Sequence, residues 1–303
     1  MEKKSLKGRL DYVSMIIPLL GVVLLCVLFM LMPAKSSYII QMIRGFLGND
    51  CGIYYALLGV GIFVCSLYIA FSKYGKIKLG KNTDQPEYSS FNWGVMIFTS
   101  TMAADILCEW ALYANEKYID QLGGIQKWAS TFPLFHWGPI AWSFYIILAV
   151  AFGFMLHVRG RNKQKFSEGC RPLLGNKVDG VVGKIIDLIA IFALIAGTAT
   201  TFSLATPLLS AALSRVFGLP NGVGLTIAVL LLIAAVYTFT VLTGMKGISK
   251  LATYCSYLFF ALLIYFLIGG GETTYILETG FSAIGNMVQN FIGLSTWMDP
   301  LRE

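Results

Sequence analysis

Residues 135–160, FHWGPIAWSFYIILAVAFGFMLHVRG, decide what kind of molecule this is. No charged residue occurs from Trp137 through Leu156, and the run then ends abruptly on His157, Arg159 and Arg161. That uncharged length is close to the roughly 20 residues a helix needs to cross the hydrocarbon layer of a bilayer. The span itself is read as 134–156, and six further blocks resemble it in length and composition: 14–32, 53–72, 91–114, 181–213, 223–244 and 251–269. The chain is 56% hydrophobic and 13% charged, whereas a soluble domain carries roughly 25% charged residues. The expected fold class is therefore an all-α membrane protein of about seven transmembrane helices packed as one bundle. The first block, too long for the core of a secretion signal and without a clear small-residue cleavage site, is expected to be retained.

Charge placement sets the expected sidedness. With the N-terminus inside, seventeen Lys and Arg residues fall in inside segments and five in outside loops. The densest inside group runs from Arg159 to Lys184. Positive residues collect on the cytoplasmic side, where they meet anionic lipid. The chain is thus expected to be multi-pass in the cell (plasma) membrane with a cytoplasmic N-terminus, and its formal charge of +7 needs no nucleic-acid partner. Residues 273–294 place apolar positions at helical spacing among Glu278, Asn286 and Asn290, which suits a helix lying in the membrane interface.

Several chemistries find no support. The six cysteines form no CxxC pair, His136 and His157 stand far apart, and neither HExxH nor GxSxG occurs. No metal site, resident cofactor or enzyme activity is expected. What the chain does offer is aromatic. Trp137, Trp142 and Tyr145 stand five, three and eight residues apart. At about 100° per residue in a continuous helix, Trp137 and Tyr145 lie about 80° apart and can line one side of a cavity. A quaternary ammonium has no N–H to donate, so aromatic faces are its natural partners, each worth about 0.5 to 2 kcal/mol. The same residues also suit the aromatic belt of a membrane interface.

Three acids, Asp105, Glu109 and Asp187, sit at or near membrane depth. A charge at the bilayer centre costs roughly 2.5 to 3.5 kcal/mol on the lenient scale, so each must face protein or water. Asp187 fits a structural role with Lys184 or a loop cation as well as a transport role. Span five carries Thr198, Thr200, Thr201 and Ser203, a hydroxyl run that suits either a cation or bonds back to the helix itself.

His136, Trp137, Trp142 and Tyr145, in an H-W-G-x-x-x-W-x-x-Y spacing, resemble the fourth-helix segment of the betaine/choline/carnitine transporter family. A Trp-led third span from Phe91 to Glu109, the Ile186-Asp187 opening of span five, the run from Gly197 to Pro207 and the Lys246-Gly247-Ile248 motif follow in family order. The HWGP and LATP variants look most like the carnitine/γ-butyrobetaine exchanger branch. The resemblance implies a LeuT-like fold of two inverted five-helix repeats preceded by two extra helices, assembled as a homotrimer. Residues 1–90 would be the leading helices, 91–270 the first repeat and 271–303 an interfacial linker helix, all in one transmembrane domain. It also implies that Trp137, Trp142 and Tyr145 supply half of an aromatic box, with Met102 and Ala103 in the opened stretch that meets substrate. Thr200 and Thr201 take the place of hydroxyls that hold a sodium ion in sodium-coupled relatives. Ser249 takes the place of an arginine that stands in for sodium in exchangers, and Lys250 points elsewhere. Glu109 and Asp187 match family acids, whereas Asp105 has no assigned partner. The family's second Trp cluster lies on an eighth helix that the chain does not reach. The chain is therefore expected to be the front part of a secondary transporter for carnitine, γ-butyrobetaine, glycine betaine or choline, or a non-transporting product of a disrupted gene.

Overall fold

A computed structural model describes residues 11–81, 83–101, 113–114, 122 and 124–298. The helices among them are α1 (Tyr12–Leu31), α2 (Pro33–Gly45), α3 (Gly52–Phe71), α4 (Ser90–Thr101), α5 (Ile125–His136), α6 (Pro139–Gly153), α7 (Phe166–Gly169), α8 (Arg171–Leu174), α9 (Val181–Phe217), α10 (Val223–Leu242), α11 (Met245–Ile264) and α12 (Thr273–Thr296). Six helical segments among the described residues are long and apolar enough to cross a membrane: Tyr12–Leu31, Gly52–Phe71, Ile125–Val158, Val181–Phe217, Val223–Leu242 and Met245–Gly269. They coincide with six of the seven expected spans. The remaining one, 91–114, is represented by α4, and most of its second half lies outside the described residues. The expected helix at 273–294 is α12.

The burial pattern is the reverse of a soluble protein's. Leu31, Phe71 and Leu242 are 74 to 87% exposed, while Ser66, Thr131, Ser143, Ser210, Ser256 and Asn286 are buried. Lipid is as apolar as leucine, so large side chains gain little by turning inward. Close helix contacts fall instead to small and hydroxylated residues.

The chain divides into two compact units that interleave in sequence. Unit one takes 1–82, 139–196 and 292–303. Its main seam is α3 against α6. A Cβ on Gly59 would come within 3.2 Å of Ile140 Cγ2, and the Ser66 hydroxyl donates to the Ser143 carbonyl at 3.5 Å. Gly21 on α1 is equally specific, because a Cβ there would lie 2.7 Å from the Phe192 ring of α9. Unit two takes 83–138 and 197–291. Here α11 turns its buried stripe, Ser249, Ala252 and Ser256, to the interior of the unit. Phe91 stacks on Tyr257 at 5.8 Å and Phe98 meets Phe259 at 5.3 Å, joining α4 to α11.

Candidate functional site

The HWGP sequence breaks a helix. Trp137 closes α5, its amide donating to the Pro133 carbonyl at 3.1 Å, and Gly138 donates to the Phe135 carbonyl at 3.0 Å. A Cβ on Gly138 would lie 2.5 Å from the Leu134 carbonyl oxygen, so only glycine fits this turn without a shift. Pro139 then opens α6, a first-turn position where its missing N–H costs nothing. This corrects the angular argument made from the sequence. The ~100° count requires one continuous helix, and none runs from Trp137 to Tyr145. The count holds only within α6, where Trp142 and Tyr145 are one turn apart.

Those two form a pair in unit one. Their ring centroids are 5.8 Å apart with an interplanar angle of 54°. Trp142 is half-buried and Tyr145 is 40% exposed. A ring quadrupole attracts a cation out to about 6 Å from its centroid, and the two centroids are closer to each other than that. In unit two, the Trp137 indole stacks on the His136 imidazole at 5.5 Å and 22°. His136 Nδ1 shares a 3.1 Å hydrogen bond with the Tyr113 hydroxyl. The histidine thus backs the tryptophan, which gives the His-Trp pairing a physical reason.

The other expected positions separate. Met102, Ala103, Asp105 and Glu109 lie outside the described residues. Thr200 is exposed and Thr201 half-buried on α9, and the Thr200 carbonyl accepts the Ser203 hydroxyl at 2.7 Å. The buried hydroxyls of this helix are those of Thr206 and Ser210, one turn apart from each other and further along than the pair singled out from the sequence. Ser249 is buried and Lys250 exposed, so the lysine does turn away from its neighbour. The glycine of the Lys-Gly-Ile motif is a packing requirement, since a Cβ on Gly247 would overlap the Thr243 hydroxyl at 1.7 Å.

Asp187 is buried and accepts two hydrogen bonds from Ser167, from its amide at 2.9 Å and its hydroxyl at 3.0 Å, with Lys165 Nζ 3.9 Å away. It pins the short α7 to the start of α9. Of its two expected roles, the structural one has the geometry, and the loop cation involved is Lys165 rather than Lys184.

The basic segment before α9 is also more internal than its charges suggest. Glu168, 2% exposed, accepts from Arg161 Nε at 2.6 Å and from Arg171 Nε and Nη2 at 2.6 and 2.9 Å. Arg171 reaches on to both oxygens of Asp179, which also takes Lys163 at 3.2 Å. Lys165 binds Asp11, the N-cap of α1, at 2.8 Å. Four cations expected to meet lipid are therefore held by protein carboxylates. Arg171 and Lys163 hold Asp179 below its ordinary range, Arg171 and Arg161 do the same for Glu168, and Lys165 with the Ser14 amide lowers Asp11 to about 2. All three carboxylates are depressed, so their stabilisation is complete above the ordinary carboxylate range and is lost as pH falls through the depressed values. Hydrogen exchange of residues 161–180, corrected for intrinsic rate, is expected to stay flat from pH 7 to about 5 and to accelerate progressively as pH falls below the ordinary carboxylate range of about 4. No acceleration below that range would show that the pairs do not hold the segment.

Sequence comparison carries these observations to a family. A profile of the betaine/carnitine/choline family transporters matches residues 13–303. A probable glycine betaine transporter of Desulfitobacterium hafniense is 30% identical over 88% of this chain and 55% of its own length. The glycine betaine transporter OpuD of Bacillus subtilis is 29% identical over 88% of this chain and 54% of its own. A carnitine transporter of Acinetobacter baumannii is 27% identical over 78% and 44%. The chain spans about half the length of the curated relatives it matches. With its all-helical architecture, its apolar spans and a family match over nearly every residue, the chain belongs to the betaine/carnitine/choline transporter family.

Proposed function

We propose that this protein is a secondary transporter of quaternary ammonium and related methylated-amine solutes, and that α6 supplies part of the solute site. The observation that carries the reading is the Trp142–Tyr145 pair, two aromatic faces 5.8 Å apart in a segment that is otherwise uncharged and apolar. A permanently charged headgroup surrounded by methyl groups is attracted by such faces and has no hydrogen bond to lose on leaving water. Trp137, and Met102 and Ala103 in the third span, join the site on sequence resemblance. The names of the relatives, glycine betaine and carnitine transporters, support the solute class.

In this reading 1–90 are leading helices, 91–270 a five-helix repeat and 271–303 a linker helix. The seventeen-to-five distribution of Lys and Arg supports a cytoplasmic N-terminus in the plasma membrane. Assembly as a homotrimer and coupling to sodium through Thr200 and Thr201, or to exchange through the Ser249 region, follow from the family resemblance.

The test is quenching of tryptophan fluorescence in nanodisc-reconstituted protein by glycine betaine, with carnitine, γ-butyrobetaine and choline alongside. Saturable quenching by at least one is expected, together with at least fivefold weakening in Trp137→Ala, where loss of one desolvated aromatic face is worth about 1 kcal/mol or more. Absence of saturable quenching by all four would refute the reading.

A further inference from the structure

We propose that a buried hydrogen bond between Thr131 on α5 and Asn286 on α12 sets the position of Trp137, making these two residues positioning residues for the solute site. The proposal rests on the reading that Trp137 touches the solute, and deepens it.

Helix α5 is short and ends on Trp137, so whatever fixes α5 fixes the indole. Thr131, six residues before Trp137, is fully buried, and Asn286 is 7% exposed. Asn286 Nδ2 donates to Thr131 Oγ1 at 2.8 Å, and that hydroxyl donates in turn to the Lys127 carbonyl at 2.7 Å. Asn290 Nδ2 completes the arrangement by donating to Asn286 Oδ1 and to the Asn286 carbonyl, both at 2.9 Å. The amide of Asn286 is therefore satisfied on both sides and held in one orientation. Two further contacts join the same helices: Gln126 Nε2 donates to the Tyr275 hydroxyl, and the Phe135 ring meets Phe291 edge-on at 6.0 Å. Between two packed helices a directional polar bond, more than apolar contact, is what distinguishes one register from its neighbours. Apolar contacts alone allow α5 to slide or rotate on α12. The Thr131–Asn286 bond does not. The stacked His136, bonded to Tyr113, passes the constraint to the indole.

The polar position of Asn286 in an amphipathic helix was visible in the sequence, but its partner 155 residues earlier was not.

The experiment incorporates 5-fluorotryptophan into the reconstituted protein and assigns the Trp137 resonance by its loss in Trp137→Phe. Thr131→Val, nearly isosteric but without the hydroxyl, is expected to shift or broaden that resonance, as is Asn286→Leu. Thr131→Ser, which keeps the hydroxyl, is expected to restore it. Glycine betaine affinity is expected to fall roughly three- to fifteen-fold in Thr131→Val, the span of a single interhelical hydrogen bond in a membrane. In a Trp137→Ala background Thr131→Val should have no further effect on affinity, which a merely structural role would not predict. An unmoved Trp137 resonance in Thr131→Val overturns the proposal. Unchanged affinity in Trp137→Ala alone overturns the solute-site reading instead, while the resonance still decides the latch. If Asn286→Leu does not fold, the two milder Thr131 variants decide between these outcomes.

Discussion

Replacing Glu168 by alanine is expected to destabilise the protein by about 3 kcal/mol, more than most single surface changes. The carboxylate accepts three charged hydrogen bonds while only 2% exposed, and alanine leaves both guanidiniums without it. The cost is not the full sum of those bonds. Arg161 is 40% exposed and regains water, and Arg171 keeps Asp179. What remains is a 14% exposed guanidinium with half of its partners gone and a void in the segment that Asp187 ties to α9. Glu168→Gln keeps an acceptor and the shape, so about half that loss is expected. Unfolding in mixed micelles at increasing dodecyl sulfate fraction, followed by circular dichroism, measures both. Equal stability of wild type and Glu168→Ala would show that the cluster is a solvated surface feature.

Trp142→Ala is expected to weaken glycine betaine binding about 10- to 30-fold, the equivalent of about 1.4 to 2 kcal/mol for a desolvated indole face. Trp142→Phe keeps a ring with a weaker quadrupole, so a loss of only a few-fold is expected. Tyr145→Phe removes a hydroxyl but not a face and should change affinity least. A solute analogue in which a tert-butyl carbon replaces the ammonium nitrogen separates the two contributions of the ring. It matches the methyl surface and lacks the charge, so it is expected to bind wild type poorly and to be nearly indifferent to Trp142→Phe. Identical affinity of the two solutes would show that the pair recognises apolar surface, not charge. Identical glycine betaine affinity of wild type and Trp142→Ala would remove α6 from the site.

The residues of the site were legible to different degrees, and the helix break explains why. Trp142 and Tyr145 share a turn of α6, so their spacing alone brings their rings together. Trp137 is only five residues earlier, yet the turn at Gly138 and Pro139 interrupts the helical count, and no angle carried across it has meaning. The sequence contained that warning, because a Gly-Pro step at the head of an apolar run is a boundary signal. Asp187 was visible as an acid near membrane depth, but Ser167 and Lys165 as its partners depend on how a loop of short turns folds back. Glu168 gave little sign of being buried, since acids amid a basic segment usually belong to a solvated surface.

Sequence alone determined that this is a helical membrane protein, where most of its spans lie and which family it belongs to. These follow from local quantities: the length of uncharged runs and the order of short motifs along the chain. Tertiary structure decided which side chains meet. It turned four basic residues toward Glu168, Asp179, Asp11 and Asp187, buried serines and threonines where leucines were left outside, and joined Thr131 to Asn286 across 155 residues. The physical reason is that a polar group away from water must find a partner wherever the fold brings one, and chain separation says nothing about where that is.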